Sequence, residues 1–474
     1  MSKSRLLGKL QMLSNLRISL KMIVSSIRNA ERTYLLLKNI LISFLGRALN
    51  LGSNFVLIYL IVNAIGKDAY GVLAVMMSIS IFFTYADLGL ASSLVNSLSE
   101  ADSRGQRDAA KQLVAQIWIF LWGIAAVIAT LTLLGFLIVE GLFPTLQSSD
   151  QHWLAYALFI GGTLIGVPLG IDQRIYFAMQ RGDLAQLWML TSRLAVLLFA
   201  FISYSYSPTL VSFTFTIAFV PALISAISCL YVFKSLRPDL NPFHFPSFSG
   251  FGQKISTGLL FAVLNFCTFL EMGLDPLIFA KLFGTIVTAD NDILIKLLTY
   301  VPALANLAVT PLWPAMAAAR AAGDYGWIVK ANRVTAICVA LIGGTAVVFL
   351  AVNLDSILTL WLSHNAPHVL PQKNMAYLFI FLQTFGVYQL FTMNALNLVK
   401  QSAIVALMVP IFVLPVKILA VYSSGSIVYA YLVMTFWYAI KIPACQIMIQ
   451  RQLRRMSVDT HSVDKNAILS QASG

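Results

Sequence analysis

Charged residues are scarce in this sequence. Asp, Glu, Lys and Arg together make up 11% of its 474 residues, whereas soluble domains carry about 25%. Acidic residues are the rarer class, with 19 against 32 basic ones, while hydrophobic residues reach 59% and the mean hydropathy is +0.81. So few charges cannot cover the surface of a soluble protein of this size, and the composition predicts a polytopic membrane protein.

Signatures of cofactor and metal sites are also missing. The four cysteines all lie in apolar stretches, which predicts neither a disulfide framework nor a zinc site. No G-x-x-x-x-G-K-[ST] loop and no soluble segment long enough for a nucleotide-binding domain is present, which argues against ATP hydrolysis. His364 and His368 are four residues apart, but Pro367 stands between them in a loop, so we expect no metal there. We therefore expect no cofactor.

The first 36 residues form a segment rich in Lys and Arg. No apolar core followed by an A-x-A cleavage site is present in it, so it does not read as a signal peptide. Helical spacing of its apolar residues predicts a basic amphipathic helix on an anionic inner leaflet, with a flexible basic tail as the alternative. The apolar stripe consists of Leu10, Leu13, Leu16, Leu20, Ile23, Val24 and Ile27.

Long apolar stretches fill most of the remaining chain, and each is long enough to cross a hydrocarbon core of about 30 Å. They predict twelve transmembrane helices, at residues 37–64, 70–98, 112–139, 153–171, 184–206, 209–233, 255–280, 292–316, 327–352, 375–399, 402–422 and 426–449.

Basic residues are distributed very unevenly between the two sides of this arrangement. Only Lys67, Lys281 and Lys373, of the 32 basic residues, lie in the predicted outer loops. Cytoplasmic loops of membrane proteins carry the excess of Lys and Arg, so both termini are expected in the cytoplasm. Topology thus accounts for the net charge of +13, and a nucleic-acid partner is not expected because the chain has no room for a soluble basic domain.

An internal duplication is indicated by two pairs of glycines. Gly66 aligns with Gly284, and Gly105 with Gly323, on the same shift of 218 positions (284 − 66 and 323 − 105). Internal repeats are a common way to build transporters. The sequence therefore predicts an all-α membrane protein of about twelve helices in two six-helix lobes related by pseudo-two-fold symmetry. The predicted parts are an N-terminal segment (1–36), a first lobe (37–233), a linker (234–254), a second lobe (255–449) and a cytoplasmic tail (450–474).

Several cations lie inside predicted helices, where a charge normally faces a bundle interior or a wet cavity. Arg47, Arg193 and Lys417 lie deep within their spans, and Lys417 stands close to two prolines that interrupt its helix. Lys296 lies near the outer end of its span, where a lysine can also snorkel to the interface. These four residues predict a cationic cavity for an anionic substrate, and the planar fork of Arg suits a pyrophosphate.

Three acidic residues also lie within predicted spans. Glu271 and Asp275 are one helical turn apart, which predicts a shared face. They either neutralise nearby basic residues or take up a proton or cation during a transport cycle. Asp87 is surrounded by small residues that permit close helix contact, and a structural hydrogen-bonding role is favoured for it.

Four local features of the sequence are shared with a known group of membrane proteins. They are the Gly66-x3-Tyr70-Gly71 turn, Asp87-Leu88-Gly89-Leu90, the polar loop at 100–111, and the second-half loop from Arg320 to Asp324. In these features the sequence resembles the bacterial O-antigen and exopolysaccharide flippases of the multidrug/oligosaccharidyl-lipid/polysaccharide exporter superfamily, and in its architecture the resemblance covers nearly the whole chain.

The resemblance implies two lobes around a central cavity that opens alternately to each side of the inner membrane. It implies an undecaprenyl-pyrophosphate-linked oligosaccharide as cargo, membrane lipids as surroundings, and a polysaccharide polymerase and a chain-length regulator as partners. No catalytic residues follow from it, because the family performs no bond chemistry.

Two other functions remain open at this level. A cation-coupled multidrug exporter of the same superfamily would share the fold but would favour an acidic cavity. A membrane glycan polymerase or ligase would be an enzyme, and the short outer loops argue against it.

Overall fold

The computed structural model describes residues 46, 49–80, 90–138, 150–243, 246–247, 263, 266–267, 269–309, 312, 316, 319–320, 323–367 and 370–472. Within these ranges the chain is helical and contains no β-strand. A helix satisfies its own backbone hydrogen bonds, which apolar segments in a bilayer require. The principal helices are α1 (Leu49–Ser80), α2 (Leu90–Ser103), α3 (Arg107–Ile138), α4 (Asp150–Leu169), α5 (Ile171–Ala178), α6 (Gly182–Tyr206), α7 (Leu210–Tyr231), α8 (Asp275–Phe283), α9 (Thr285–Leu298), α10 (Tyr300–Val309), α11 (Tyr325–Leu362), α12 (Lys373–Ala395), α13 (Val399–Met408), α14 (Leu414–Ser424) and α15 (Val428–Ala472).

Nine helical stretches of the described chain are long and apolar enough to cross a membrane. Eight of them correspond one to one with predicted spans, and the ninth, Leu49–Ser80, joins the end of the first span to the start of the second. The predicted spans 37–64, 70–98, 255–280 and 292–316 all extend into residues outside the described ranges. Several helices are longer than predicted: α11 has 38 residues, or about 57 Å of helix, which exceeds the hydrocarbon thickness.

The internal duplication is visible in the backbone. Gly66, Gly105, Gly284 and Gly323 all have φ between +67° and +87°, a conformation that glycine adopts without steric cost. The turns at Gly105 and Gly323 also share their hydrogen bonds, since Gln106 N donates to Ala101 O and Asp324 N to Ala319 O, both at 2.9 Å. The shift of 218 positions thus relates identical turns.

Helix packing follows the same repeat. In the first half α3 packs on α4, α4 on α7, and α6 on α7. In the second half α11 packs on α12, α12 on α15, and α14 on α15. The molecule is therefore an all-α membrane protein of two lobes with pseudo-two-fold symmetry. We call the end that carries Gly66 and Gly284 the turn end, and the end that carries Gly105 and Gly323 the loop end.

The two lobes contact each other at the turn end. Lys67 Nζ lies 2.9 Å from a carboxylate oxygen of Asp290, and the Asn365 amide donates to Asn63 Oδ1 at 2.9 Å. Gly71 packs directly against the backbone of Thr285, where any Cβ would collide with the carbonyl group. These three pairs define the turn-end contact.

The predicted linker begins beside the loop end of the first lobe. Arg237 donates to Asp102 (2.8 and 2.9 Å) and to Asp239, and this guanidinium holds the pKa of Asp239 below its ordinary value. The boundaries predicted for the linker and the two lobes remain predictions.

Candidate functional site

A cavity of about 650 Å³ lies between the two lobes. Helices α1, α4 and α7 form its first-lobe wall, and the segment from Met272 to Pro276 together with α9 forms much of its second-lobe wall. Most of the lining is apolar or small, as expected where helices pack closely around a space. The polar groups that line it include Ser78, Asp275, Asn291, Asp292, Lys296 and Tyr431.

Lys296, one of the predicted cavity cations, lies on this wall and is already partly neutralised. Its Nζ is 2.7 Å from Asp292 Oδ2, one helical turn earlier, and donates to the Tyr70 hydroxyl at 3.0 Å. Tyr70 in turn donates to Asp292 at 2.5 Å. Tyr70 belongs to the first lobe, whereas Asp292 and Lys296 belong to the second, so this three-residue network connects the two lobes beside the cavity.

Lys417 does not line the cavity in this conformation. It is 2% exposed, and its Nζ donates to the backbone carbonyl of Glu271 (2.7 Å) and to the Asp275 carboxylate. A π-helical turn with a proline in its first positions, Val409–Val413, precedes α14. Such turns change the direction of the helix that follows. In this structure Lys417 is therefore the buried counter-ion of Asp275 and not a cation exposed to the central cavity.

Glu271 and Asp275 do not share a helix face, which corrects the expectation drawn from their spacing. Residues Gly273 and Leu274 form a turn, and α8 begins only at Asp275. The rule that residues four apart lie on one face requires a continuous helix. Asp275 lines the central cavity, whereas Glu271 lines a separate one within the second lobe.

The second-lobe cavity has a volume of about 270 Å³ and unusual polar walls. Glu271 is 6% exposed, and Lys441 Nζ lies 3.7 Å from its Oε1. The Oε1 atoms of Glu271, Gln383 and Gln389 are shielded from solvent and have no hydrogen-bond partner among the described residues. Buried acceptors without donors are costly, so this cavity suits a bound proton, cation or water. The glutamines inside a predicted span are the sequence signal that could have found this cavity.

Arg193 lines a third cavity, of about 320 Å³, within the first lobe. It forms no hydrogen bond or ion pair with another described residue. Ile217, Pro221 and Ser225 of α7 line both this cavity and the central one, so the two spaces adjoin across that helix. Within the described part of the chain, Arg193 is thus a cation without an ion-pair partner, in a cavity next to the central one.

Asp172 lies on the wall of the same third cavity and was missed by the sequence reasoning. It is fully buried, and its carboxylate accepts a hydrogen bond from Gln173 N at 2.6 Å. The predicted span ended at residue 171, whereas the apolar helical stretch continues to Ala178.

Only some of the predicted site residues therefore lie together in the structure. Lys296 and Asp275 share the central cavity, Arg193 and Glu271 line flanking cavities, and Lys417 is buried behind Asp275. Arg47 and Asp87 lie outside the described residues.

Comparison with solved structures gives the fold. The inward-facing conformation of a multidrug resistance MATE family transporter of the MOP superfamily matches with a TM-score of 0.72 at 10% identity, covering 85% of this chain and 95% of that one. An outward-facing conformation of such a transporter matches with a TM-score of 0.62, also at 10% identity, covering 88% and 95%.

A third structure comes from Pyrococcus furiosus and is described as a MOP superfamily transporter in which the reverse polarity of the binding pocket suggests a different function. It matches with a TM-score of 0.61 at 10% identity, covering 88% of this chain and 94% of that one. No curated protein matches the sequence significantly.

The family follows from the sequence itself. A family model described as polysaccharide biosynthesis protein matches residues 36–320, which is more than half of the chain. With this match and with the two-lobed fold, the chain belongs to the polysaccharide biosynthesis protein family and has the architecture of the MOP superfamily of transporters.

Proposed function

We propose that this protein is a flippase that moves undecaprenyl-pyrophosphate-linked oligosaccharide from the inner to the outer leaflet, for the synthesis of cell-surface polysaccharide such as O-antigen or exopolysaccharide. The family supports a role in polysaccharide synthesis, and the fold supports transport. The observation that carries the choice of an anionic cargo is Arg193, because a cation beside the central cavity that pairs with no described acid can bind a negative partner.

In the proposed mechanism the sugar and pyrophosphate enter the space between the lobes while the lipid tail stays in the bilayer. Arg193 binds the pyrophosphate through its fork of donors. Lys296 joins it when the cargo displaces Asp292, its present partner. Rocking of the lobes then separates the turn-end contact and releases the head group on the other side.

The proposal places the protein in the bacterial inner membrane with both termini in the cytoplasm. On that orientation the turn end faces outward. A polymerase and a chain-length regulator would receive the translocated cargo at the outer leaflet.

The Arg193→Ala/Lys296→Ala double variant tests the cargo assignment. Loss of an Arg–phosphate contact alone corresponds to about tenfold or more in affinity, so translocation of lipid-linked oligosaccharide should fall at least about tenfold. The measurement is the amount of undecaprenyl-linked repeat units on each face of the inner membrane, in cells lacking the native protein and complemented with each variant. Lys281→Ala, a change at an exposed lysine near the turn end, is the matched control and should behave as wild type.

Three other outcomes would contradict the flippase proposal. Normal polymer export by the double variant would show that Arg193 and Lys296 are not needed to bind the cargo. Unchanged surface glycan with altered drug tolerance in cells lacking the protein would indicate a multidrug exporter. Repeat units that reach the outer face but stay unpolymerised would indicate a polymerase or ligase.

Ion coupling, if it drives resetting of the lobes, is proposed at Glu271 rather than at Asp275. Asp275 is already bound to Lys417, whereas Glu271 retains an oxygen that accepts no hydrogen bond from any described residue, in a polar cavity. We expect Glu271→Gln to abolish the acceleration of translocation that a proton or sodium gradient gives in proteoliposomes, with folded protein retained. Glu100→Gln, at an exposed carboxylate near the loop end, should leave that acceleration unchanged. A gradient response that survives in Glu271→Gln would exclude this residue.

A further inference from the structure

A fourth cavity, of about 500 Å³, lies at the loop end of the second lobe. It is formed by the first turns of α11 and by α15, away from the space between the lobes. The proposed transport cycle uses none of its residues. Its polar lining consists of Tyr325, Asn332, Arg333, Gln446, Gln450 and Arg454.

The charged residues in the described lining are both basic. Among the described residues that line the cavity there is no carboxylate. Arg333 forms no hydrogen bond or ion pair with any described residue. Asp324, a nearby acid in the sequence, is engaged as the N-cap of α11 and accepts a hydrogen bond from Trp327 N at 3.0 Å. A group with negative charge and several acceptor oxygens would therefore find the Arg333 guanidinium without competition from an acid among the described residues.

Apolar surface starts immediately beside the two arginines. On α11, Val334, Ile337 and Leu341 are each more than half exposed. A cation at the edge of an exposed apolar stripe lies at the headgroup level of a bilayer, where long basic side chains meet lipid phosphates. A ligand that satisfies both features carries a phosphate at one end and acyl chains at the other.

The equivalent place in the first lobe is filled. Trp118 stands 218 positions before Ala336, which lines the fourth cavity. The Trp118 ring packs edge-on against Phe233, with ring centroids 5.7 Å apart, and against Phe243, at 6.5 Å. Where the first lobe closes this space with aromatic side chains, the second has an alanine and open volume.

We propose that this fourth cavity binds an anionic phospholipid. Its phosphodiester is held by Arg333 and Arg454, with the amides of Gln446 and Gln450 as further donors. Its acyl chains run along the exposed apolar face of α11. On the proposed orientation the lipid belongs to the inner leaflet.

The test uses the full-length protein in a neutral detergent, with phosphatidylglycerol as the probe and native mass spectrometry to count bound lipid. Wild type should retain one more phosphatidylglycerol than the Arg333→Gln/Arg454→Gln variant, whose affinity at this site should be at least about tenfold lower. Lys330→Gln/Arg451→Gln removes the same charge from the same two helices outside the cavity lining, and its affinity should stay within about twofold of wild type.

A second variant tests the need for open volume in the cavity instead of the need for its charge. Ala336→Trp copies the first-lobe residue and should exclude the lipid while keeping every arginine. Phosphatidylethanolamine, which has no net charge, should bind more weakly than phosphatidylglycerol. Equal binding by wild type and the double arginine variant would overturn the proposal. Binding of inorganic phosphate at this site, with no phosphatidylglycerol retained by wild type, would also overturn it, in favour of a site for free phosphate.

Discussion

Replacing Lys417 with methionine is expected to destabilise the protein by about 3–5 kcal/mol, far more than the loss of an exposed charge would. Lys417 is buried, and its ammonium group is bonded to Asp275, itself buried, and to the backbone carbonyl of Glu271. Methionine preserves most of the side-chain volume but removes the charge. Asp275 is then left as a buried carboxylate without a counter-ion, which is far costlier than an exposed unpaired charge.

A double substitution separates the charge effect from simple loss of packing. Asp275→Asn in the Lys417→Met background should recover most of the lost stability, because neither residue is then charged. The measurement is the temperature at which half of the detergent-purified protein loses its monodisperse size-exclusion peak, compared at one heating rate since unfolding of such proteins is often irreversible. Lys400→Met, at an exposed lysine of the same lobe, is the matched control and should change this temperature little. If the two Met variants of Lys417 and Lys400 behave alike, the buried pair does not stabilise the fold.

The spans, the turns and the duplication could be predicted because they depend on local sequence. The length of a hydrophobic stretch indicates whether it can span the membrane. A glycine in a turn indicates a backbone conformation that other residues rarely adopt. The four glycines on one shift therefore identified the repeat, and all four have positive φ in the structure. Such predictions require no knowledge of contacts between residues far apart in the sequence.

The partners of the buried charges could not be predicted in the same way. Lys417 meets Asp275 across 142 positions of sequence, and only the packing of α14 against the helix break at Gly273 brings them together. That break also separated Glu271 from Asp275, although their spacing indicated one face. Hydropathy does not record which cation neutralises which acid, so the sequence overestimated how many cations face the central cavity. Arg193 lies in a cavity beside the central one and forms no ion pair with any residue that the structure describes.

Cross-linking the lobes at the turn end is expected to stop transport, to less than about a tenth of the wild-type rate, because alternating access requires this end to open. Asn63 and Asn365 come from different lobes and are joined by a hydrogen bond of 2.9 Å. Cysteines introduced at these two positions, in a Cys338→Ser background that removes the exposed native thiol, can be joined by a short bis-maleimide. At the same end of the molecule Gly71 lies directly against the Thr285 backbone, so the two lobes are in close contact there.

The matched control joins two helices of one lobe at the same end. Asp355 on α11 and Lys373 on α12 form an ion pair at 3.6 Å, and a cross-link between cysteines at these positions should leave transport unchanged, since the two helices move together. A cleavable reagent at the Asn63/Asn365 pair should restore transport when it is cut, which shows that the protein was blocked and not denatured. Transport at the wild-type rate by the cross-linked Asn63/Asn365 variant would mean that the turn-end contact persists throughout the cycle. The cargo would then have to pass without separation of the lobes at this end, and the rocking mechanism would have to be abandoned even if the cargo assignment stood.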